Sequence, residues 1–309
     1  MANSEEICAR LCLLTRAGWE ENLPNPLSRR MVRRLSACGA LCSLVLRDVP
    51  GVEPELFERA RVLMGRAKKV YACMQAYEQQ GYSILLPSDE AWPQRLFALG
   101  GEMPQFLFVK GNGRLLDTPA LALAGSRSIL PETMRIAYTC GRQMADEGFT
   151  MVCGGAQGVD NEAQKGLLEA GGSLILVPAM PVHQQLRNET VADALQQEKL
   201  LIVCDTLPDE PFSAQKALSR NHTIYALGEA AIVVAARIGE GGSWQGAMDC
   251  LRGSWTDVYA VDKENPDMAG CRGLIAQGAK KLDPDLLFRS QLCTGSRMLQ
   301  TQMLEIHER

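Results

Sequence analysis

Residues 121–156 read LALAGSRSILPETMRIAYTCGRQMADEGFTMVCGGA, and this stretch limits the fold more than any other. An apolar run over 120–124 leads into the turn Gly125-Ser126-Arg127-Ser128. Pro131 and Glu132 suit the first turn of a helix. Proline lacks a donor that this turn cannot use, and an acid complements the positive end of the helix dipole. Met134, Ala137, Tyr138, Gly141 and Met144 follow at helical spacing, and Gly148 marks the stop. A second apolar run, 150–153, ends at Gly154-Gly155. The order is strand, turn, helix, strand. The first turn places amides, hydroxyls and a guanidinium at a helix N-terminus, where anions bind.

The alternation continues to the C-terminal side. Apolar runs at 173–177, 200–204, 230–235 and 258–261 are separated by helical patterns at 158–170, 187–197, 213–227 and 243–251. Crossovers of that length predict a doubly wound, mostly parallel α/β sheet, with ligands held at the C-terminal ends of its strands. Runs at 83–86 and 104–109 add two further strands before the opening unit. Residues 1–78 instead carry helical spacing over 7–15, 26–38 and 54–79. The turn Pro50-Gly51-Val52 between two apolar helical segments outlines a helix-hairpin-helix (SAM-like) unit, whose hairpin amides can hold a DNA phosphate and whose favoured, bland reading is a small packing domain. The expected organisation is a helical domain over 1–80, the α/β domain over 81–287, and a short tail over 288–309. Arg29-Arg30 and Arg33-Arg34 fall one helical turn apart and are expected on a solvated face.

Composition bounds the partners. A net charge of −4 argues against non-specific coating of nucleic acid, though it leaves room for a local basic patch. Glu5-Glu6 precedes the first apolar run where a signal peptide would be basic, and no apolar run approaches the ~20 residues of a membrane span. A cytoplasmic protein without a membrane partner is expected. The 11 cysteines include no CxxC pair and the 3 histidines are scattered, so no metal or other cofactor is expected. Cys153, Cys204 and Cys250 sit in apolar contexts and read as small core residues.

Four segments, each expected at a strand end, should converge on one crevice: Gly125 to Ser128, Gly154-Gly155-Ala156-Gln157-Gly158, Ser219-Arg220-Asn221, and Glu240-Gly241-Gly242-Ser243. Glycine lets backbone approach a ligand, and Arg127 and Arg220 are forked donors suited to phosphate. A phosphate-bearing ligand follows, whether a mononucleotide or a nucleic-acid backbone. Neither a Walker A sequence nor GxGxxG is present, which argues against NTP hydrolysis and dinucleotide binding. Asp160 reads as a helix cap and Asn221 as a loop-holding amide. His183, His222 and His307 lack partnered motifs. Asp160 and Glu240 are the carboxylates available for N-glycosidic cleavage, without a spacing that demands it.

WPQRL at 92–96, PQFLFVKG at 104–111, LALAGSRS, GFTMVCGGAQGVD, Arg220-Asn221, the GGS at 241–243 and GCRGLIAQGA at 270–279 resemble, in order, the DNA-processing protein A (DprA/Smf) family. The resemblance implies a Rossmann-like domain that binds single-stranded DNA. It implies a homodimer without enzymatic activity that helps load a RecA-type recombinase during natural transformation. By position, it implies that Ser126, Arg127 and Ser128 hold a phosphate, that Gly154 and Gly155 give backbone contacts, and that Arg220 and Asn221 line the pocket. Several positions depart from the family pattern. Ala217-Leu218 replace an aromatic-Pro step, which removes a stacking contact worth about 1–3 kcal/mol. His222 replaces an arginine, Glu240 a lysine and Gln164 a histidine, while Lys216 partly compensates the lost charge. The winged-helix-like C-terminal domain of some members has no match. The competing reading is a nucleotide-binding protein or a nucleoside-monophosphate phosphoribohydrolase of the lysine-decarboxylase-like (LOG) group. GEGGSWQGAMD at 239–249 partly echoes that group's signature.

Overall fold

A computed structural model describes residues 4–44 and 52–292. The expected hairpin turn at Pro50-Gly51 and most of the tail lie outside the described residues. The apolar runs form one nine-stranded sheet: β1 (Ser83–Leu85), β2 (Leu107–Gly111), β3 (Ala120–Gly125), β4 (Thr150–Cys153), β5 (Leu174–Leu176), β6 (Leu200–Cys204), β7 (Ala230–Ala235), β8 (Asp257–Val261) and β9 (Lys280–Leu282). Their spatial order is β1-β2-β6-β5-β4-β3-β7-β8-β9. β3 to β9 pair in parallel, while β2 runs antiparallel to β6 and β1 antiparallel to β2. β4, β5, β6 and β7 are buried at every position. Helices on both faces leave no solvent side, which is why these strands read as continuous apolar runs without alternation.

The α/β fold class is as the sequence predicts. Strand β9 was not anticipated, because Lys280 and Lys281 give its short run a polar appearance. The doubly wound order reverses between β3 and β7, so the mouth of the sheet lies where those two strands end.

Helix α6 (Pro131–Asp146) follows β3, and Gly148 behind it has a φ of 74°. Helix α7 (Val159–Glu169) follows β4. The helix expected over 187–197 is α9 (Glu189–Gln196), which starts where the Asn188 side chain accepts from the Thr190 N–H, and a short α8 (Val182–Gln185) precedes it. Helix α10 (Ala214–Leu227) follows β6, α11 (Gly241–Gly253) follows β7, and α12 (Ala269–Ala276) follows β8. The tail begins with α13 (Phe288–Gln291).

Among the described residues, five helices precede the sheet: α1 (Ser4–Leu14), α2 (Arg29–Ser36), α3 (Leu41–Leu44), α4 (Pro54–Met64) and α5 (Ala67–Gln79). One face of α1 joins Leu27, Val32, Leu35 and Leu63 in a small separate core, and its other face enters the main core with Val70, Met74 and Phe108. The single helix expected over 54–79 breaks at Gly65-Arg66. Arg66 is buried, and its guanidinium donates to the carbonyls of Leu63 (3.2 Å), Ala17 (2.8 Å), Thr15 (3.0 Å) and Cys12, against the Trp19 ring. At the break this cation sits in a ring of carbonyls from α1, the segment after it and α4. Arg66→Leu strands those acceptors without a donor, so about 3 kcal/mol of stability should be lost in urea unfolding, with accelerated amide exchange in α1. An unchanged midpoint would refute that role.

Arg30, Arg33 and Arg34 are exposed, as a solvated face has them, while Arg29 is half-buried. Arg29 donates to the Glu102 carbonyl (2.9 Å) and to the Asp205 carboxylate (2.8 Å), Arg33 to the Gly100 carbonyl, and Arg34 pairs with Glu53. Tyr77 on α5 donates to the Asp209 carboxylate at 2.5 Å. The helical cluster therefore grips the loop that leaves β6.

Candidate nucleic-acid interface

A cavity of about 650 Å³ opens at the point where the strand order reverses. Its walls come from Gly125 at the end of β3 and Ser126, Arg127 and Ser128 after it, Asp160 on α7, Phe212 before α10, Arg220, Asn221 and Tyr225 on α10, and Arg237 and Glu240 to Ser243 after β7.

The turn after β3 is bolted down. The Ser126 N–H and Oγ both donate to the Ala235 carbonyl, at 3.0 and 3.3 Å. The Ser126 carbonyl accepts from the Val159 N–H at 3.1 Å. Gly158 has a φ of 82°, and a Cβ there would stand 2.4 Å from that same carbonyl. Arg127 and Ser128 remain exposed at the mouth.

The helix terminus that the sequence suggests for an anion is occupied from within. The N-terminus of α6 already holds an internal carboxylate. Asp267 Oδ2 accepts from the Leu130 N–H (2.6 Å) and from Thr133 Oγ1 (2.8 Å). The cavity instead meets the N-terminus of α11, through Gly241, Gly242 and Ser243. First-turn amides have no partner within their helix and carry the positive end of its dipole. The side chain of Glu240, the residue before this helix, does not cap it.

Segment 219–221 is likewise not a strand end but the middle of α10. Asn221 holds a loop, as its bland reading has it, by donating to the Gly242 carbonyl at 3.1 Å. Tyr225 Oη donates to the Ser243 carbonyl at 3.3 Å. Arg220 reaches inward and is only 6% exposed. A Cβ on Gly154 would lie 1.6 Å from Arg220 Nη1, so glycine at 154 makes room for this guanidinium. Arg220 Nε is buried without a hydrogen-bond partner among the described residues.

Asp160 corrects the cap reading. Gly158 precedes the helix, and Asp160 reaches back to accept from the N–H groups of Gly154 (3.1 Å) and Ala156 (3.2 Å). Burial raises its pKa, against the opposing pull of the Arg220 charge and those amides. Cys153 below it accepts from Gln164 Nε2 at 3.1 Å, and burial pushes its thiol up to about 12.

Gly154 and Gly155 stand beneath the wall, Gly155 at a φ of 65° against Gln185. Lys216 is paired with Glu210 at 2.5 Å and stands off the lining. His222 does have a partner: Nε2 stands 3.2 Å from Asp249 Oδ2, and its ring lies 4.7 Å from that of Trp255. The sequence reading missed Arg237, Tyr225 and Phe212 as lining residues. Arg237 beside the glycine-rich turn was the available signal. Phe212 gave none, since it sits in what reads as a plain loop.

Residues 83–287, more than half of the chain, match the profile of the DNA recombination-mediator protein A family. The chain is 28% identical over 229 residues to Protein Smf of Escherichia coli, covering 72% of this chain and 60% of that one. It is 29% identical over 205 residues to the DNA processing protein DprA of Streptococcus pneumoniae, covering 64% of this chain and 69% of that one. It spans about 55% of a putative DNA processing protein DprA of Mycobacterium tuberculosis at 24% identity. The crystal structure of the Streptococcus pneumoniae protein superimposes with a TM-score of 0.66 at 22% identity, over 91% of this chain and 95% of that one. A Helicobacter pylori DNA processing protein A structure, described for its single-stranded DNA binding mode, gives 0.56 at 22% identity over 72% of this chain and 96% of that one. These two share the fold. The family's profile runs from β1 to the residue before α13 and takes in every strand and the whole crevice, and the chain belongs to the DNA recombination-mediator protein A family.

Proposed function

We propose that this protein binds single-stranded DNA through its phosphate backbone in the β3/β7 crevice. We further propose that it acts in the cytoplasm, as a homodimer, to assist a RecA-type recombinase in DNA uptake and recombination. The observation that carries the binding role is the junction of three donor sets at one cavity. These are the turn that exposes Arg127 and Ser128, the α11 first turn, and the buried guanidinium of Arg220 with an unmet donor. A phosphate at the mouth meets Arg127 as a fork and the amides as fixed dipoles, both prepositioned by the rigid turn. Lining acids Asp160 and Glu240 offset part of the positive charge, so few counterions should be released on binding and the salt dependence should be shallow.

Fluorescence anisotropy with labelled oligo-dT across a salt series tests the reading. Wild type should bind more weakly as salt rises. Arg127→Ala should lose about tenfold in affinity and reduce the salt slope by about 1. Equal binding by both proteins at every salt concentration would sink it.

The cavity volume, within the range of small-ligand sites, favours one other reading: a mononucleotide site. Thermal stabilisation by a nucleoside monophosphate, with no oligo-dT binding, would select it. Against a hydrolase stands Asp160, whose Oδ2 is already committed to two backbone amides.

A further inference from the structure

Phe212 is 49% exposed, yet it lies at the rim of the cavity and not on open surface. The Arg127 guanidinium carbon stands 5.6 Å from the centre of its ring. The chain on either side is fixed. Before it, Asp205 takes hydrogen bonds from Arg29 (2.8 Å) and Thr223 (3.2 Å), the Pro208 carbonyl accepts from the Val182 N–H (2.8 Å), and Asp209 accepts from Tyr77. After it, Ser213 caps α10 by accepting from the Lys216 N–H at 3.2 Å. The ring is thus a rigid apolar face displayed beside the cation at the mouth of a phosphate site.

An unpaired nucleotide presents a charge and a flat π-face side by side, and base-on-aromatic stacking tolerates any base. We propose that Phe212 is the stacking platform for one unpaired base of the strand whose phosphate Arg127 holds. The proposal rests on the single-stranded DNA reading above and places the aromatic contact at a position that Ala217-Leu218 do not supply. The ring has a second task. By lying along the guanidinium it restrains Arg127 in the orientation that meets phosphate.

The test uses the full chain, Phe212→Ala and Phe212→Trp, and two labelled probes of equal length: oligo-dT and an abasic deoxyribose-phosphate strand. Phe212→Ala should weaken oligo-dT binding by about tenfold to a hundredfold and move abasic binding far less. Phe212→Trp should restore oligo-dT affinity, and its fluorescence should be quenched by oligo-dT alone. Equal loss on both probes, or loss on neither, overturns the stacking role while leaving DNA binding intact. Failure of wild type to bind either probe at low salt overturns the DNA reading itself, and the stacking role with it.

Discussion

Arg220→Met should cost about 3–5 kcal/mol, because it leaves the buried Asp160 carboxylate without its opposing charge. Methionine fills much of the space the arginine stem occupies, so the loss is electrostatic more than a cavity effect. The pH dependence separates the two. Burial already raises the folded-state pKa of Asp160, and the nearby Arg220 opposes that rise. Without Arg220 it rises further. A carboxyl whose pKa is raised on folding contributes most at low pH, and that contribution is lost as pH climbs from the ordinary carboxylate range through the folded value. The gap between wild type and variant should therefore be narrow in mild acid and wide at neutral pH, as read by urea unfolding. A gap that stays constant with pH would show that Asp160 does not depend on Arg220.

Gly141→Ala should destabilise by about 2–4 kcal/mol, against the usual rule for a helix interior. Alanine is ordinarily favoured over glycine there by about 1 kcal/mol. Here a Cβ would stand 1.9 Å from the Ala163 carbonyl oxygen, where α6 crosses α7. The contact is with backbone, which cannot rotate away. Gly166 on α7 closes the same crossing, with a Cβ 2.1 Å from the Tyr138 carbonyl oxygen. The two helices must separate to admit the methyl group, and α7 carries Asp160 and the floor of the crevice. Gly113→Ala is the control, since nothing stands within 4 Å of its Cβ position. A thermal midpoint for Gly141→Ala equal to that of the control would refute the close packing.

The sequence exposed whatever depended on neighbours in the chain. β3, β4, β6 and β7 were visible because burial on both faces leaves an unbroken apolar run. Gly125-Ser126 and Gly242-Ser243 were visible because small residues stand where a strand ends or a helix begins beside the cavity. What stayed hidden depended on distant parts of the chain. Nothing around Pro131 indicates that Asp267 fills the α6 N-terminus from across the sheet. Arg220 looks like a strand-end ligand until α10 is seen to run through it. Arg66 reads as an ordinary helical residue, and only the fold shows the carbonyls that break the helix around it. The arginines of α2 do line a wet face, but the contacts of Arg29 and Arg33 stay hidden because their acceptors, Gly100, Glu102 and Asp205, belong to other elements.

The two margins of the sheet end in different ways. On one side β1 and β2 fold over as an antiparallel pair, so β6 is an inner strand. On the other side β9 ends the ladder after 3 residues. Lys280 pairs with Asp257 at 2.8 Å and Lys281 with Asp262 at 3.0 Å along that margin. A strand from a second molecule would have to strip water from both ion pairs to gain so short a run of hydrogen bonds. At the β9 margin the sheet thus offers little to a strand from a second copy.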